Sequence, residues 1–132
     1  ERHPIETIET VMSRETLLSL QKAVRQVYVH PDIIRYIVDI VAATRSAPGI
    51  YLGASPRGSI ALFRTAQALA FIRGRSYVVP DDVKELVPFT LRHRMMLTSE
   101  ARLSGLTVDR VLRDILHRIP VPVLPEEGRR SR

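Results

Sequence analysis

The sequence predicts an all-α domain, a small bundle of about five to six helices. Two observations lead there. Every strongly periodic stretch repeats its apolar residues at helical spacing rather than in alternation. The breaks between stretches carry helix starts (Ser, Thr or Pro) and helix stops (Gly). A third observation sets the scale: 132 residues suit one domain. With 45% hydrophobic residues, 5% aromatics and no Trp, its core is built from Leu, Ile, Val and Ala.

Residues 1–12, punctuated by Pro and Thr, form an extended entry segment, and the helical domain occupies 13–125. Ser13 is a suitable N-cap, and Met12 with Leu17 occupies the positions of a hydrophobic staple. The first helix runs to about Val27 with Leu17, Leu20, Val24 and Val27 on one face. After a connector at Tyr28 to His30, Pro31 and Asp32 open a second helix. Its stripe is Ile33, Ile34, Ile37, Val38 and Val41, and it stops before Pro48-Gly49. The third helix begins at Ser55-Pro56 and ends at Gly74. Ile60, Leu62, Phe63, Ala66, Leu69, Ala70, Phe71 and Ile72 leave it apolar nearly all round, as a central helix would be.

Pro80-Asp81-Asp82 opens a short fourth helix carrying Val83, Leu86 and Val87, which Pro88 interrupts. Phe89 to Leu97 forms another short helix, and 98–106 a loop or brief extended stretch. Thr107 caps a last helix with Val108, Val111, Leu112, Ile115 and Ile119 inward. Ile119 to Pro125 closes the domain, and 126–132 is expected to be a disordered basic tail.

Composition excludes several classes of function. Without Cys there is neither a disulfide framework nor a thiolate zinc site. No apolar run approaches the ~18 residues of a membrane span, and the opening Glu1-Arg2-His3-Pro4 carries no signal-peptide core. An intracellular, cytoplasmic piece of a longer protein fits these features. The net charge is +6, and all but two of the 20 basic residues are arginine. They are scattered except at Arg129, Arg130 and Arg132, whereas nucleic-acid binding requires a patch. Attraction of nucleic acid or other anions is one reading of this balance, and a genome composition that favours Arg over Lys is the other. His3, His30, His93 and His117 lack the spacing of metal ligands, and no nucleophile elbow, P-loop or dinucleotide-binding glycine motif occurs. Asp81 and Asp82, adjacent in a first turn, serve the helix dipole rather than acid–base chemistry.

One stretch is anomalous. Gly53-Ala54-Ser55-Pro56-Arg57-Gly58-Ser59 puts Arg57 in the first turn of the central helix, where a cation opposes the macrodipole. A helix start is also an anion site, so Arg57 and free backbone N–H groups could together hold a phosphate. Gly53, Ala54 and Gly58 are small enough for a ligand or another surface to come close. A solvent-exposed arginine at a Ser-Pro helix start is the alternative. The stretch Gly74-Arg75-Ser76-Tyr77-Val78-Val79-Pro80 is sufficiently explained as a helix stop, an apolar link and a new helix start.

Taken together these stretches resemble a known family. Gly53-Ala54-Ser55-Pro56-Arg57 is followed by the helix from Ala61 to Ala70. Then come Arg73-Gly74-Arg75-Ser76-Tyr77-Val78-Val79-Pro80-Asp81-Asp82-Val83-Lys84 and Leu91-Arg92-His93-Arg94. Their order and spacing are similar to the C-terminal lid of MoxR-family AAA+ ATPases, most specifically over 53–97. The resemblance implies that Arg57 is the sensor-2 residue reaching the γ-phosphate of ATP, with Ser55 and Gly53 beside it in the nucleotide site. It implies ATP and Mg in the parent protein, an upstream AAA+ core domain, a ring homo-oligomer and chaperone-like remodelling. A von Willebrand factor A-domain protein is an implied partner. The family pattern has Thr before Pro80, where this chain has Val79 and forgoes a cap. Walker and arginine-finger segments are absent from these residues, so the chain alone is expected neither to bind ATP tightly nor to hydrolyse it. The leading lid helix is open to truncation. A histone-fold-like DNA-binding or dimerisation module is the competing reading, since a long helix, Gly-Arg and a short apolar link suit it too. A plain helical interaction domain is a further one.

Overall fold

The computed structural model describes residues 7–123. The first six residues and the basic tail at 126–132 lie outside them, as do Leu124 and Pro125. Among the described residues the chain is a helical bundle with one minimal sheet. In order, it comprises α1 (Arg14–Arg25), α2 (Pro31–Ser46), β1 (Ile50–Leu52), α3 (Pro56–Ile72) and α4 (Pro80–Leu91). A 3-10 turn (Arg92–Arg94), β2 (Met96–Leu97), α5 (Ser99–Leu103) and α6 (Val108–Arg118) complete it.

The helix starts are chemically explicit. Ser13 Oγ accepts from Thr16 N–H at 3.1 Å, Thr98 from Ala101 N–H at 3.1 Å and Thr107 from Arg110 N–H at 3.3 Å. His30 caps α2 through Nδ1, which accepts from Asp32 N–H at 3.2 Å. Gly74 ends α3 at φ +70, a conformation costly for residues with a Cβ. There Arg75 N–H returns to Ala70 O at 2.9 Å and Gly74 N–H to Phe71 O at 2.9 Å, closing the free carbonyls.

α3 is the shared partner of α1, α2 and α4, and its most extensive interface is with α4. Its buried edge is Gly58, Leu62, Ala66, Gln67 and Ala70, mostly small residues one turn apart. Small side chains let neighbouring helices approach closely, and Leu62, Ala66 and Ala70 are fully buried. The helix is thus central but not enclosed: Ile60 and Ile72 are 63% and 79% exposed. α2 likewise turns a different stripe inward from the one predicted. Ile33, Tyr36, Ile37, Ile40, Val41 and Thr44 are buried, whereas Ile34 and Val38 are exposed.

Four further expectations are corrected. Pro88 does not interrupt α4. It lies inside the helix, one turn before the end, and Arg92 N–H closes onto Pro88 O. A proline there costs about 3 kcal/mol, which the complete burial of Val83, Val87 and Leu91 offsets. Phe89 to Leu97 is not a separate helix, because β2 pairs antiparallel with β1, Ile50 opposite Leu97 and Leu52 opposite Met96. The 98–106 stretch contains α5, nucleated by the Thr98 cap. The first helix also stops at Arg25, short of Val27, which is buried beyond its end.

Gln67 fastens α1 to α3. Its Nε2 donates to Val27 O at 2.8 Å and Arg25 O at 3.4 Å, and its Oε1 accepts from Arg64 Nη1 at 3.1 Å. Removing the amide leaves a buried carbonyl unpaired, at a cost of roughly 1–3 kcal/mol. Gln67→Leu should therefore lower the urea midpoint of the 132-residue chain, whereas Ile60→Ser should stay within about 0.5 kcal/mol of the parent. Equal midpoints for the parent and Gln67→Leu would remove the amide from the account of stability.

Candidate functional site

The segment singled out in the sequence sits where β1 passes into α3. Ser55 has extended backbone and occupies the N-cap position, but its hydroxyl makes no cap bond. Pro56 brings no N–H, and Gly58 N–H turns back to Ser55 O at 2.7 Å. The helix start therefore offers fewer free donors than a generic one. Arg57 supplies the rest. It is exposed in the first turn of α3 and has neither a hydrogen-bond nor an ion-pair partner among the described residues. A guanidinium left open at the positive end of a helix is electrostatically unfavourable until an anion joins it.

The small residues around Arg57 serve the chain's own packing. A Cβ built on Gly53 would fall 2.6 Å from Arg45 Cα and 2.7 Å from Arg45 N and the Thr44 carbonyl carbon. Those are backbone atoms of α2, which cannot yield. Gly58 faces Leu91 and Ala54 in the same way, with hypothetical Cβ distances of 3.1 and 3.4 Å. Ala54 is fully buried, and both its backbone groups are satisfied by α2. Thr44 Oγ1 accepts from Ala54 N–H at 2.9 Å while donating to Val41 O at 2.6 Å, and Arg45 Nη1 donates to Ala54 O at 3.1 Å. Sequence reasoning passed over Thr44. The available signal was a hydroxyl continuing the apolar stripe of Ile37, Ile40 and Val41, since a polar group on a buried face requires a partner.

At the opposite end of α3 lies an ionic cluster. Asp82, expected to serve only the helix dipole, has no solvent-exposed side-chain surface. Its Oδ1 accepts from Arg73 Nη1 at 3.0 Å and Arg75 Nη2 at 2.5 Å, its Oδ2 from Arg75 Nη1 at 2.8 Å and Val79 N–H at 3.0 Å. Arg73 extends the cluster to Glu85 at 2.7 Å. The Val79 contact is half of a capping box. Val79 has no acceptor to return, so the cap lost with Thr is replaced from the Asp82 side only. Burial pushes the Asp82 carboxyl upward, but the Arg75 hydrogen bonds, the Val79 N–H and the Arg73 guanidinium outweigh it and hold the group below the usual carboxylate range. Asp81 stays outside the cluster, exposed and paired with Lys84 at 2.9 Å. Tyr36 Oη is a buried side-chain atom with no partner, and burial, aided by the Asp81 charge, raises its pKa.

His93 lies in the 3-10 turn between Arg92 and Arg94, and no group of three His, Cys, Asp or Glu among the described residues could hold a metal ion. No helix among them is long and apolar enough to cross a membrane.

Comparison with known proteins agrees with the helical fold. The AAA lid domain family matches residues 42–115, from the second half of α2 into α6. The uncharacterized protein YeaC of Bacillus subtilis is 49% identical over 121 residues, covering 92% of this chain and 38% of that protein. Chaperone MoxR1 of Mycobacterium tuberculosis is 34% identical over 130 residues, covering 89% and 34%. A crystal structure from Cytophaga hutchinsonii, described as a candidate ATPase, superposes with a TM-score of 0.82 at 30% identity and covers 87% of this chain and 38% of its own. The chain belongs to the AAA lid domain family, in the form carried as the C-terminal lid by MoxR-type AAA+ ATPases. It spans little more than a third of the length of these relatives. The match does not favour the histone-fold-like alternative.

The Asp82 cluster generates a pH prediction. A folded-state pKa below the usual 3.8 means stability that is fully present above that value and is lost as pH falls through the depressed one. Asp82→Asn should cost roughly 1.5–3 kcal/mol near neutrality, the scale of hydrogen bonds to a charged group. In acid the gap between parent and variant should narrow. Thermal unfolding of both from neutral to strongly acidic pH checks this, and a gap independent of pH would refute the assignment.

Proposed function

We propose that Arg57 is the sensor-2 arginine of a MoxR-type AAA+ ATPase, reaching the γ-phosphate of ATP held by the core domain of the same protein. The observation that supports this most is the exposed, unpartnered guanidinium of Arg57 in the first turn of α3. An anion there meets both the side chain and the helix dipole. The Ser55 hydroxyl, free of any cap bond, is a neighbouring polar group available to it, and Gly53, whose missing side chain lets the segment lie on α2, is proposed to contribute through its backbone.

Bound ATP with Mg would supply the phosphoryl group to be transferred, and the residues of this chain would act on its charge. Arg57 would stabilise the negative charge spread over the oxygens of the transferring phosphoryl group in the transition state. Its bidentate fork also fixes the lid against the nucleotide, so that loss of the γ-phosphate releases one lid contact. The phosphate cradle and the metal ligands belong to the upstream core. The parent protein would work as a ring of identical subunits in the cytoplasm, converting this lid movement into chaperone-like remodelling. MoxR1, a relative bearing the name chaperone, favours that reading. A von Willebrand factor A-domain protein is the proposed partner of the ring.

Arg57→Ala in the full-length ATPase should lower turnover by about 10²-fold, the usual loss on removing one preorganised donor. The 132-residue chain carrying the same change should unfold within about 0.5 kcal/mol of the parent, as exposed substitutions do. Steady-state ATPase assays and thermal denaturation measure the two. Unchanged turnover would refute the sensor-2 role.

A further inference from the structure

We propose that Thr44 is the positioning residue for Arg57, and that α2 and the Arg57 turn move as one rigid unit. This inference rests on the sensor-2 reading above. Its starting point is that Ala54, three residues before Arg57, has both backbone groups tied to consecutive α2 residues. Thr44 Oγ1 receives its N–H at 2.9 Å and Arg45 Nη1 binds its carbonyl at 3.1 Å. Thr44 is itself fixed: its side chain is fully buried and its hydroxyl proton is committed to Val41 O at 2.6 Å. The hydroxyl therefore has a single remaining role, as an acceptor pointed at Ala54.

Close packing makes the attachment stiff. With no side chain on Gly53, the segment lies directly on the backbone of Thr44 and Arg45, where even a methyl group would come within 2.6 Å. Gly58, just beyond Arg57, rests on Leu91 of α4. Arg57 thus has fixed neighbours on both sides in sequence, while its own side chain is open to solvent. A displacement imposed on Arg57 by a phosphate would pass through Ala54 into α2 and on to α6, which packs against α2.

Thr44 differs from an ordinary core residue in that its hydroxyl, and not its bulk, holds the turn. Thr44→Val keeps the volume and removes the acceptor. Val41 O still has its helical donor, so the group newly left unpaired is Ala54 N–H, and the turn carrying Arg57 loses its anchor. Misplacement on the ångström scale far from the chemistry lowers rates by up to about 10²-fold.

The test is a double-mutant cycle in the full-length ATPase, with kcat and KM for ATP measured at a temperature where circular dichroism shows every variant folded. Thr44→Val is expected to lower kcat by about tenfold or more, and Thr44→Ser, which retains the hydroxyl, to restore most of it. In the Arg57→Ala background Thr44→Val should add almost nothing, because a misplaced residue that is already absent cannot be missed twice. Arg45→Met, an exposed change that removes only the carbonyl contact, should give a smaller loss with the same non-additivity. It also keeps the cycle measurable if Thr44→Val does not fold. Losses that multiply independently of Arg57, or no rescue by Ser, would overturn the positioning role. If Arg57→Ala alone leaves turnover intact, the sensor-2 reading is what has failed.

Discussion

A carboxylate with no access to water has to be matched completely, and the α3–α4 hairpin is organised around that requirement at Asp82. Three segments converge on it: the last turn of α3 through Arg73, the link through Arg75, and the start of α4 through Val79 N–H. None could shift by much without leaving a buried charge short of a partner, which is far more costly than the pair is favourable. With the link held this way, Val78 drops into the core and its N–H meets Tyr28 O, while Tyr28 N–H meets Ser76 O. The exit of α1 is thereby brought against the same link, and Gln67 secures it from the side of α3. An ionic interaction thus sets the positions of four elements whose cohesion is otherwise hydrophobic.

The two ends of α3 are fixed by different chemistry. Its start is joined to α2 by the hydrogen bonds of Thr44 and Arg45 to the Ala54 backbone and by close backbone contact, its end to α4 by the Asp82 cluster. A helix of 17 residues separates them, about 25 Å at the standard rise. At physiological salt that is several Debye lengths, so the charge at Arg57 and the charges around Asp82 do not sense each other through solvent. Whatever passes between the ends passes mechanically, along a helix that is packed on three sides.

The sequence was informative wherever a local rule acts alone. The helix starts at Ser13, Pro31, Pro56, Pro80 and Thr107, the stop at Gly74 and the anomalous site of Arg57 all follow from the order of neighbouring residues. It was less informative wherever the outcome depends on distant partners. Pro88 has the same local signature in a broken helix as in a continuous one. What decides is the packing of Val83, Val87 and Leu91 on α3, which no window around Pro88 contains. β1 and β2 are too short to show alternation, and they pair across more than forty residues. Asp82 was read correctly as a first-turn acid and incompletely as a buried one, because both roles place an Asp at the same position. Gly53 permits close approach by its residue type, but the approaching surface is α2, at Thr44 and Arg45 eight to nine residues back in the chain, which only the fold identifies. At Arg57 the location was legible from sequence, and the supports beneath it, Thr44 and Arg45, were not.

α1 differs from the other long helices in one respect: none of its residues is fully buried, and Leu17 and Leu18 remain nearly half exposed. It is joined to the bundle mainly by its last turn, through Gln67 and the Tyr28 bridge. Detaching it exposes little new apolar surface, so its opening free energy falls well below that of global unfolding. Its backbone amides would exchange with solvent deuterium by this local route, while those of α3 and the buried side of α2 would wait for the whole bundle to open. The lid is then built as two cooperative units of unequal stability, with Gln67 at their boundary.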